Sequence, residues 1–206
     1  MDVEREKRLA AEAAATLVED GMAVGLGTGT TVALLLPLLA ARRLSLRCVA
    51  TSLQTERQAR ELGLRIESFN GLDRLDIAID GADQIAPDRW LVKGGGAAHT
   101  REKVVAAAAD RFVVIASSDK LVERIAPPVP LELLAFGLTA TLRRLGPVSL
   151  RDVPPSPDGN PIADYLGDVE DPGALAARLA SAAGVVEHGL FSPELVTDVI
   201  VAGEAL

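Results

Sequence analysis

Apolar positions along the first half of the chain alternate between helix-like and strand-like patterns. Leu9, Ala13 and Leu17 recur on one face of a predicted helix over residues 4–19, and we expect this face to be buried. Six short apolar runs predict strands, and they read MAVGLG, LRCVAT, LRIES, DIAID, WLVK and FVVIAS. Helices are predicted after the first two runs and over residues 100–109. Short apolar strands separated by helices are typical of a parallel sheet covered on both faces, which predicts an α/β fold.

The predicted second helix has two features that bear on where it begins and ends. Thr30 and Thr31 offer side-chain oxygens that can cap its first turn. Its apolar positions are leucines, namely Leu34, Leu35, Leu38 and Leu39. Pro37 lies among them. Because proline lacks an N–H and clashes with the preceding turn, we expect a kink or an early break there.

The pattern changes near the proline-rich stretch APPVP at residues 126–130, which is a predicted hinge. Beyond it the runs LELLAF, VSLRDV, PIADYL and GVVEHGLF predict four strands, and helices are predicted after the first and third of them. This βαββαβ order is the ferredoxin-like split pattern. One more apolar strand, VTDVIVAG, could rejoin the first sheet. We therefore expect a parallel-sheet domain at 1–128, a smaller α+β domain at 129–194, and a strand at 195–206 that rejoins the first domain.

Composition narrows the classes of partner. The 206 residues carry a net charge of −8, and a nucleic-acid surface would need a basic face. The single cysteine, Cys48, allows no internal disulfide. The longest apolar run, VALLLPLLAA at residues 32–41, is too short to span a bilayer, and the charged N-terminus does not resemble a signal peptide. We expect a cytoplasmic protein with no nucleic-acid or membrane partner, although small anionic ligands stay compatible with this charge.

The motif GLGTGTT at residues 25–31 lies between a predicted strand and a predicted helix. Its glycines allow close approach to an anion, and Thr28, Thr30 and Thr31 add hydroxyl donors. The motif lacks the GK[ST] of a P-loop and the spacing of the dinucleotide fingerprint. A mononucleotide or a sugar phosphate therefore fits better than NAD, and a purely structural turn remains the alternative.

Acidic residues follow the strand DIAID, in the stretch DGAD that contains Asp80 and Asp83. The carboxyl ends of strands are where open α/β sheets bind ligands. If the two carboxylates converge, one of them becomes a candidate proton donor, whereas Mg²⁺ binding or turn capping are the alternatives. Lys93, ten residues after Asp83, argues against a metal because an ammonium would compete for the same oxygens.

The stretch LVKGGGAAHTREK at residues 91–103 combines a lysine, a glycine turn predicted to be flexible, and a helix start. Lys93 beside bare backbone amides suits the stabilisation of an oxyanion. Glu102 in the first turn is a candidate general base, and an ordinary solvated helix start is the alternative. We expect His99 to be an exposed helix-start residue rather than an acid–base catalyst. Ser52 and Thr55 form a polar pair that could reach the same crevice.

Seven motifs in one order resemble the ribose-5-phosphate isomerase A family: GLGTGTT, TSLQT, DGADQ, LVKGGGAAHTREK, SSDK at residues 117–120, PDGN and GVVEHGLF. The resemblance implies a Rossmann-like parallel-sheet domain plus a smaller ferredoxin-like α+β domain. It implies an aldose–ketose isomerase that interconverts D-ribose 5-phosphate and D-ribulose 5-phosphate in the pentose phosphate pathway. It also implies a homodimer or homotetramer that uses no metal and no nucleotide cofactor.

The resemblance assigns roles to individual residues. Glu102 matches the proton acceptor, and catalytic roles fall to Asp80, Asp83 and Lys93. The implied substrate contacts are Thr28, Gly29, Thr30, Thr31, Asp80, Gly81, Ala82, Asp83, Lys93, Gly94, Gly95, Gly96 and Lys120. Lys7 also matches a lysine on the phosphate side. The chain departs from the family at Gln84, which replaces a usual glutamate, at His99, which replaces a usual leucine, and at PDGN, which replaces TDNGN.

Two other functions compete with this interpretation. An amino-sugar phosphate deaminase shares the fold, and so does a non-enzymatic sugar-phosphate sensor. Sensors of that kind carry an N-terminal helix-turn-helix, and only residues 1–21 precede the first predicted strand here. The joint presence of Asp80, Asp83, Lys93 and Glu102 favours catalysis through a cis-enediol. Whether Asp80 or Asp83 handles ring opening stays open.

Overall fold

A computed structural model describes residues 2–206, and these residues form two compact units, each built from separate stretches of sequence. The first unit contains the described part of Met1–Ala82 together with Arg101–Leu121 and Glu194–Leu206. The second contains Asp83–Thr100 and Val122–Pro193. Relative to the expected boundary after residue 128, segments 83–100 and 122–128 belong with the second unit.

Six α-helices and thirteen strands are assigned within residues 2–206. In chain order they are α1 (Val3–Thr16), β1 (Ala23–Leu26), α2 (Thr30–Ala41), β2 (Arg47–Ala50), α3 (Leu53–Glu61), β3 (Ile77–Asp80), β4 (Gln84–Ile85), β5 (Leu91–Val92), α4 (His99–Ala107), β6 (Phe112–Ala116), β7 (Val129–Leu133), α5 (Leu138–Leu145), β8 (Val148–Leu150), β9 (Ile162–Tyr165), α6 (Pro172–Ala180), β10 (Val185–His188), β11 (Leu190–Phe191), β12 (Asp198–Val201) and β13 (Glu204–Ala205).

The first unit is built on a six-stranded sheet with the order β13-β12-β6-β3-β1-β2. All neighbouring pairs are parallel except β12 with β13. The terminal strand β12 lies beside β6 in this sheet. The strands β3 and β6 are buried along their whole length, as expected for parallel strands covered on both faces. The predicted α/β, Rossmann-like class is confirmed.

Small side chains let helices pack closely on this sheet. On α1 the buried positions are mainly alanines, including Ala10, Ala11 and Ala14, whereas Leu9 is exposed, so the expectation that its stripe is buried is wrong at Leu9. Gly25 in β1 admits α4, because a Cβ there would lie 2.4 Å from Cγ1 of Val105. The core of this unit is therefore built from alanine, valine and leucine, with few aromatic side chains.

Helix α2 does not break at Pro37, so of the two outcomes expected there, a kink or an early break, the early break is wrong. The helix continues to Ala41 with Leu35, Leu36 and Leu39 buried on either side of the proline. Burial of these leucines outweighs the single intrahelical hydrogen bond that proline removes. Among the described residues, no helix is long and apolar enough to cross a membrane.

The second unit contains a four-stranded antiparallel sheet with the order β10-β7-β9-β8. Helix α5 connects β7 to β8 and α6 connects β9 to β10, so the predicted ferredoxin-like βαββαβ order is confirmed. The core includes Val129, Leu131 and Leu133 of β7, Ala163 of β9 and Leu179 of α6.

Two predicted strands behave differently from expectation. The run LRIES does not form a strand. It pairs with the edge strand β2 at one residue pair only, Ile66 with Cys48. The run WLVK contributes only β5, and β5 pairs antiparallel with β4 and β11 in a separate three-stranded sheet of the second unit. Apolar runs alone could not distinguish these two sheets.

Candidate active site

Two glycines shape the loop between β1 and α2 that carries the GLGTGTT motif. A Cβ on Gly27 would lie 2.0 Å from Cγ of Asp80, so glycine is needed where the loop passes the end of β3. Gly29, with φ +125°, is the N-cap of α2. Thr30 and Thr31 lie inside the helix, so the prediction that they cap it is wrong. Gly29 has no side chain that could accept a hydrogen bond from the first N–H groups of α2, so these groups are suited to bind an anion.

Asp80 ties this loop to the end of β3. Its Oδ1 accepts hydrogen bonds from the backbone N–H of Thr28 at 3.0 Å and of Gly81 at 2.7 Å. The residue is buried. A carboxylate that accepts hydrogen bonds from backbone N–H groups fixes their orientation. Asp80 therefore orients the loop between β1 and α2, which we call the threonine loop. Among the described residues, no group of three or more His, Cys, Asp or Glu side chains is arranged to hold a metal ion.

Two hydroxyl groups make hydrogen bonds to this loop, one from Thr51 directly after β2 and one from Thr55 on α3. The Oγ1 atoms of Thr28 and Thr51 are 2.8 Å apart, and Thr55 Oγ1 donates to the carbonyl of Gly27 at 2.8 Å. Ser52 accepts the N–H of Thr55 at 3.2 Å and caps α3. The predicted polar pair therefore serves the loop through Thr55. Thr51 was not singled out from the sequence, although its place after β2 matches that of the loop after β1.

Glu102 is a buried carboxylate in the first turn of α4. Glu102 is only 4% exposed, whereas its neighbours Arg101 and Lys103 are half-buried. The alternative of an ordinary solvated helix start therefore does not apply to Glu102. Buried carboxylates are rare because removing their charge from water is costly. This burial makes Glu102 the candidate base of the first unit.

Lys93 is a buried cation at the end of β5 in the second unit. The residue is 2% exposed, and its backbone N–H donates to the carbonyl of Gly189 at 2.8 Å. Its Nζ lies 5.5 Å from the centroid of the Phe191 ring, within the range of a cation–π interaction. A buried ammonium is costly to desolvate, so Lys93 differs from an ordinary solvated surface lysine.

The glycine turn after β5 is anchored by hydrogen bonds. The N–H of Gly95 donates to Oδ2 of Asp83 at 2.8 Å. The carbonyl of Gly94 accepts the N–H of Ala97 at 3.1 Å and Nη1 of Arg151 at 2.8 Å. The sequence predicts a flexible turn, whereas these three bonds hold its backbone in one conformation.

His99 is completely buried, so the expectation of an exposed helix-start residue is wrong. Its Nε2 lies 3.4 Å from the carbonyl oxygen of Glu187. A Cβ on Gly94 would lie 2.7 Å from Nδ1 of His99, so the imidazole packs directly against the glycine turn. Residues distant in sequence enclose this ring, which is why its burial could not be inferred from its position in the helix.

Glu132 is another buried carboxylate, and sequence reasoning missed it. The residue lies on β7 and is 1% exposed. It accepts hydrogen bonds from Oγ1 of Thr100 at 2.5 Å, Oγ of Ser156 at 2.7 Å and Nδ2 of Asn160 at 2.7 Å. Asn160 ends the PDGN motif, so this motif contributes to a buried polar network rather than to a simple surface turn.

Comparison with known proteins identifies the family to which these motifs belong. The family model described as ribose 5-phosphate isomerase A (phosphoriboisomerase A) matches residues 47–205. The chain belongs to this family. A relative of that name from Caulobacter sp. (strain K31) is 43% identical, and the matched region covers 93% of this chain and 91% of the relative.

Solved structures of this family resemble the whole chain. Ribose 5-phosphate isomerase A from Neisseria gonorrhoeae has a TM-score of 0.91 at 31% identity and covers 97% of this chain and 94% of its own. A D-ribose-5-phosphate isomerase solved in complex with phospho-erythronic acid has a TM-score of 0.91 at 34% identity, with coverage of 97% and 95%. The similarity to ribose 5-phosphate isomerase A therefore includes both compact units.

The departure from the family at Gln84 has a structural explanation. Its Nε2 donates to the carbonyl of Ala126 at 2.8 Å, and its Oε1 accepts the N–H of Ala126 at 2.9 Å. An ionised glutamate could accept but could not donate. The amide at Gln84 therefore joins two segments of the second unit by a pair of bonds.

Lys120 lies in a 3₁₀ turn that is held to α1. The N–H of Ser118 donates to Oε2 of Glu6 at 2.7 Å. This hydrogen bond is the main reason why the pKa of Glu6 is lowered. Nζ of Lys120 is 3.3 Å from Oδ2 of Asp119. Lys7 directly follows Glu6 on α1, so Lys7 and Lys120 belong to elements that this contact joins.

The structure thus divides the candidate residues into two groups. The first unit contains Thr28, Gly29, Thr30, Thr31, Asp80, Gly81, Ala82, Glu102 and Lys120, and the second contains Asp83, Lys93, Gly94, Gly95 and Gly96. Hydrogen bonds join Thr28, Asp80 and Gly81 within the first group. They join Asp83 and Gly95 within the second.

Proposed function

We propose that this chain interconverts D-ribose 5-phosphate and D-ribulose 5-phosphate, a step of the pentose phosphate pathway. The observation that carries the proposal is the buried carboxylate of Glu102 in a chain of the ribose 5-phosphate isomerase A family. An aldose–ketose exchange moves one proton from C2 to C1. A single carboxylate held away from water is suited to remove that proton and to return it.

The reaction balances without an external reagent. After the sugar ring opens, Glu102 takes the proton from C2, the electron pair forms the C1–C2 double bond, and the C1–O double bond breaks to leave a cis-enediolate with its negative charge on the former aldehyde oxygen. The proton of the C2 hydroxyl passes to that oxygen, so the charge moves to the oxygen on C2. Protonated Glu102 then delivers its proton to C1 as the C2–O double bond of the ketone forms. Asp80 or Asp83 moves protons between the ring oxygen and the hydroxyl groups.

Lys93 and the backbone N–H groups of Gly94 and Gly96 are assigned to bind the negative oxygen of the enediolate, since the N–H of Gly95 already donates to Asp83. A buried cation and fixed N–H groups stabilise developing charge without reorganising when the reaction occurs. The low exposure of Lys93 and the hydrogen bonds that anchor the turn support this role.

The substrate phosphate is assigned to the start of α2, with contacts from Thr28 to Thr31 and from Lys120. A helix N-terminus attracts anions because its first N–H groups point outwards and its dipole is positive there. The hydrogen bond from Thr28 to Asp80 supports a preformed loop. The relative solved with phospho-erythronic acid supports a phosphorylated ligand of this size.

A cytoplasmic homodimer or homotetramer is the proposed state of the protein. The family resemblance supports self-association, and Phe136 adds an apolar side chain that is 93% exposed in this chain. Light scattering coupled to gel filtration tests the assembly, and a monomer at micromolar concentration would contradict it. Fractionation of cells tests the location, with recovery in the membrane pellet as the contrary result.

Formation of D-ribulose 5-phosphate from D-ribose 5-phosphate by the purified protein is the direct test of the activity. An isomerase also forms D-ribose 5-phosphate when D-ribulose 5-phosphate is supplied. A protein that instead releases ammonia from glucosamine 6-phosphate is a deaminase, and one that binds the pentose phosphate without turnover is a sensor. Either outcome would contradict the proposal.

A further inference from the structure

Arg151, which directly follows β8, connects two segments of the second unit through its guanidinium group. Its Nε and Nη2 donate to the two carboxylate oxygens of Asp164 on β9, at 2.8 and 2.6 Å. Its Nη1 donates to the carbonyl of Gly94 at 2.8 Å. Both charged side chains are largely buried, with 17% and 20% exposure. The bidentate pair with Asp164 therefore fixes the plane of the guanidinium, and the third nitrogen is directed at the glycine turn.

Gly94 needs such a partner because its own conformation is permissive. Its φ of +113° lies in a region that residues with side chains rarely adopt. A Cβ on Gly94 would also lie 2.7 Å from Nδ1 of His99 and 2.8 Å from Cβ of Pro130. Glycine is thus required at this position. Of all residues, however, glycine restricts the rotation of its adjoining peptide groups least. Partners of the carbonyl oxygen must supply the restraint.

The carbonyl of Gly94 and the N–H of Gly95 belong to one peptide group, which is planar. Arg151 binds this group at its oxygen, and Oδ2 of Asp83 accepts its N–H at 2.8 Å. A cation therefore lies at the negative end of the peptide dipole and a carboxylate at the positive end. Rotation of the peptide would break both contacts at once, so the orientation of Asp83 depends on the guanidinium.

We infer that Arg151 is a positioning residue, which orients Asp83 and the glycine turn through the Gly94–Gly95 peptide group. Its importance for turnover rests on the proposed roles of Asp83, Lys93 and the turn. Arg151 itself binds protein groups and is assigned no contact with the substrate. Its loss removes one of the three hydrogen bonds that hold the turn, the one that fixes the Gly94 carbonyl to a charged group. The turn and Asp83 then become more mobile, and misplaced catalytic groups lower kcat.

Arg151→Met tests the inference, because methionine keeps much of the side-chain length and removes every donor. Arg144→Met is the matched control, since Arg144 also donates to a backbone carbonyl of the second unit, that of Ala183. Hydrogen–deuterium exchange of the unliganded proteins is followed at the amides of residues 94–97. We expect faster exchange there in Arg151→Met and wild-type exchange in the control.

Steady-state kinetics provide the second measurement. A displacement on the order of 1 Å costs about 10²-fold in rate, so kcat of Arg151→Met should fall roughly 10- to 100-fold, with a smaller change in KM. Added guanidinium ion should restore part of kcat in Arg151→Met. If that variant does not fold, Arg151→Lys and Asp164→Asn carry the same two measurements, because each conserves size and weakens the fork.

Unchanged exchange at residues 94–97 would overturn the inference, and so would faster exchange with wild-type kcat. Faster exchange, reduced kcat and rescue by guanidinium together support it. A wild-type protein that does not isomerise ribose 5-phosphate would contradict the proposed function alone, while exchange in the turn still decides whether Arg151 positions it.

Discussion

Replacing Gly27 by alanine tests whether close contact between the threonine loop and Asp80 matters for catalysis. The added Cβ would lie 2.0 Å from Cγ and Oδ1 of Asp80 and 2.5 Å from its Cβ. Ordinary contact begins at 3.4 Å, so the two groups must separate by about 1.4 Å (3.4 minus 2.0). The Cβ of Asp80 is fixed to the backbone of β3, so a change of rotamer alone cannot provide this space.

Overpacking of this kind costs about 1–3 kcal/mol of folding free energy, which leaves most domains folded. The displaced carboxylate loses its alignment with the N–H groups of Thr28 and Gly81. Because a misplacement on the order of 1 Å costs about 10²-fold in rate, kcat/KM should fall by roughly that factor.

Urea unfolding and the rate of ribulose 5-phosphate formation measure the two effects. Gly71→Ala is the control, because a Cβ there meets nothing within 4 Å and its φ is unremarkable. The control should match the wild type in both assays. If Gly27→Ala kept wild-type stability and wild-type kcat/KM, the reasoning from this contact would be refuted.

Two further predictions concern the first unit. Thr30→Asp places negative charge in the first turn of α2, where the helix dipole tolerates it, so the fold should persist. KM should rise roughly tenfold, which corresponds to about 1.4 kcal/mol of binding. If the neutral Thr30→Asn variant had the same KM as Thr30→Asp, the phosphate would have to bind elsewhere. For Glu6, the hydrogen bond from Ser118 holds its pKa below the ordinary 4.5, so its ionised form stabilises the fold above pH 4.5 and this stabilisation is lost as pH falls through the lowered value. Urea titrations should therefore find that Glu6→Gln differs most from the wild type at neutral pH, and a difference independent of pH would contradict the assignment.

Continuous apolar runs made the main strands of both units predictable. The run DIAID became β3, and FVVIAS became β6, because buried strands need apolar residues on both faces. The same signal was ambiguous for WLVK, whose β5 belongs to the antiparallel sheet of the second unit. Strand propensity does not encode the partner, and long-range pairing decides it.

The motif residues of the candidate site were predictable, whereas the residues that support them were not. Glu102 and Lys93 stand out in sequence because charged residues flank a glycine-rich turn. Arg151 contacts Gly94 across 57 residues, and nothing near Arg151 in sequence indicates that contact. Nε2 of His99 likewise contacts the carbonyl of Glu187, 88 residues away. Such contacts arise from packing of distant segments and leave no local periodicity.

Glu102→Gln tests the central claim most directly, because it keeps the size of the side chain and removes the base. Loss of general acid–base catalysis predicts that kcat for ribose 5-phosphate falls roughly 10²–10⁴-fold, about 3–5 kcal/mol of barrier, while binding of the sugar phosphate persists. Glu12→Gln, an exposed position on α1, is the control and should behave as the wild type. A Glu102→Gln enzyme that turns over at nearly the wild-type rate would contradict the account, since another group would then have to move the C2 proton.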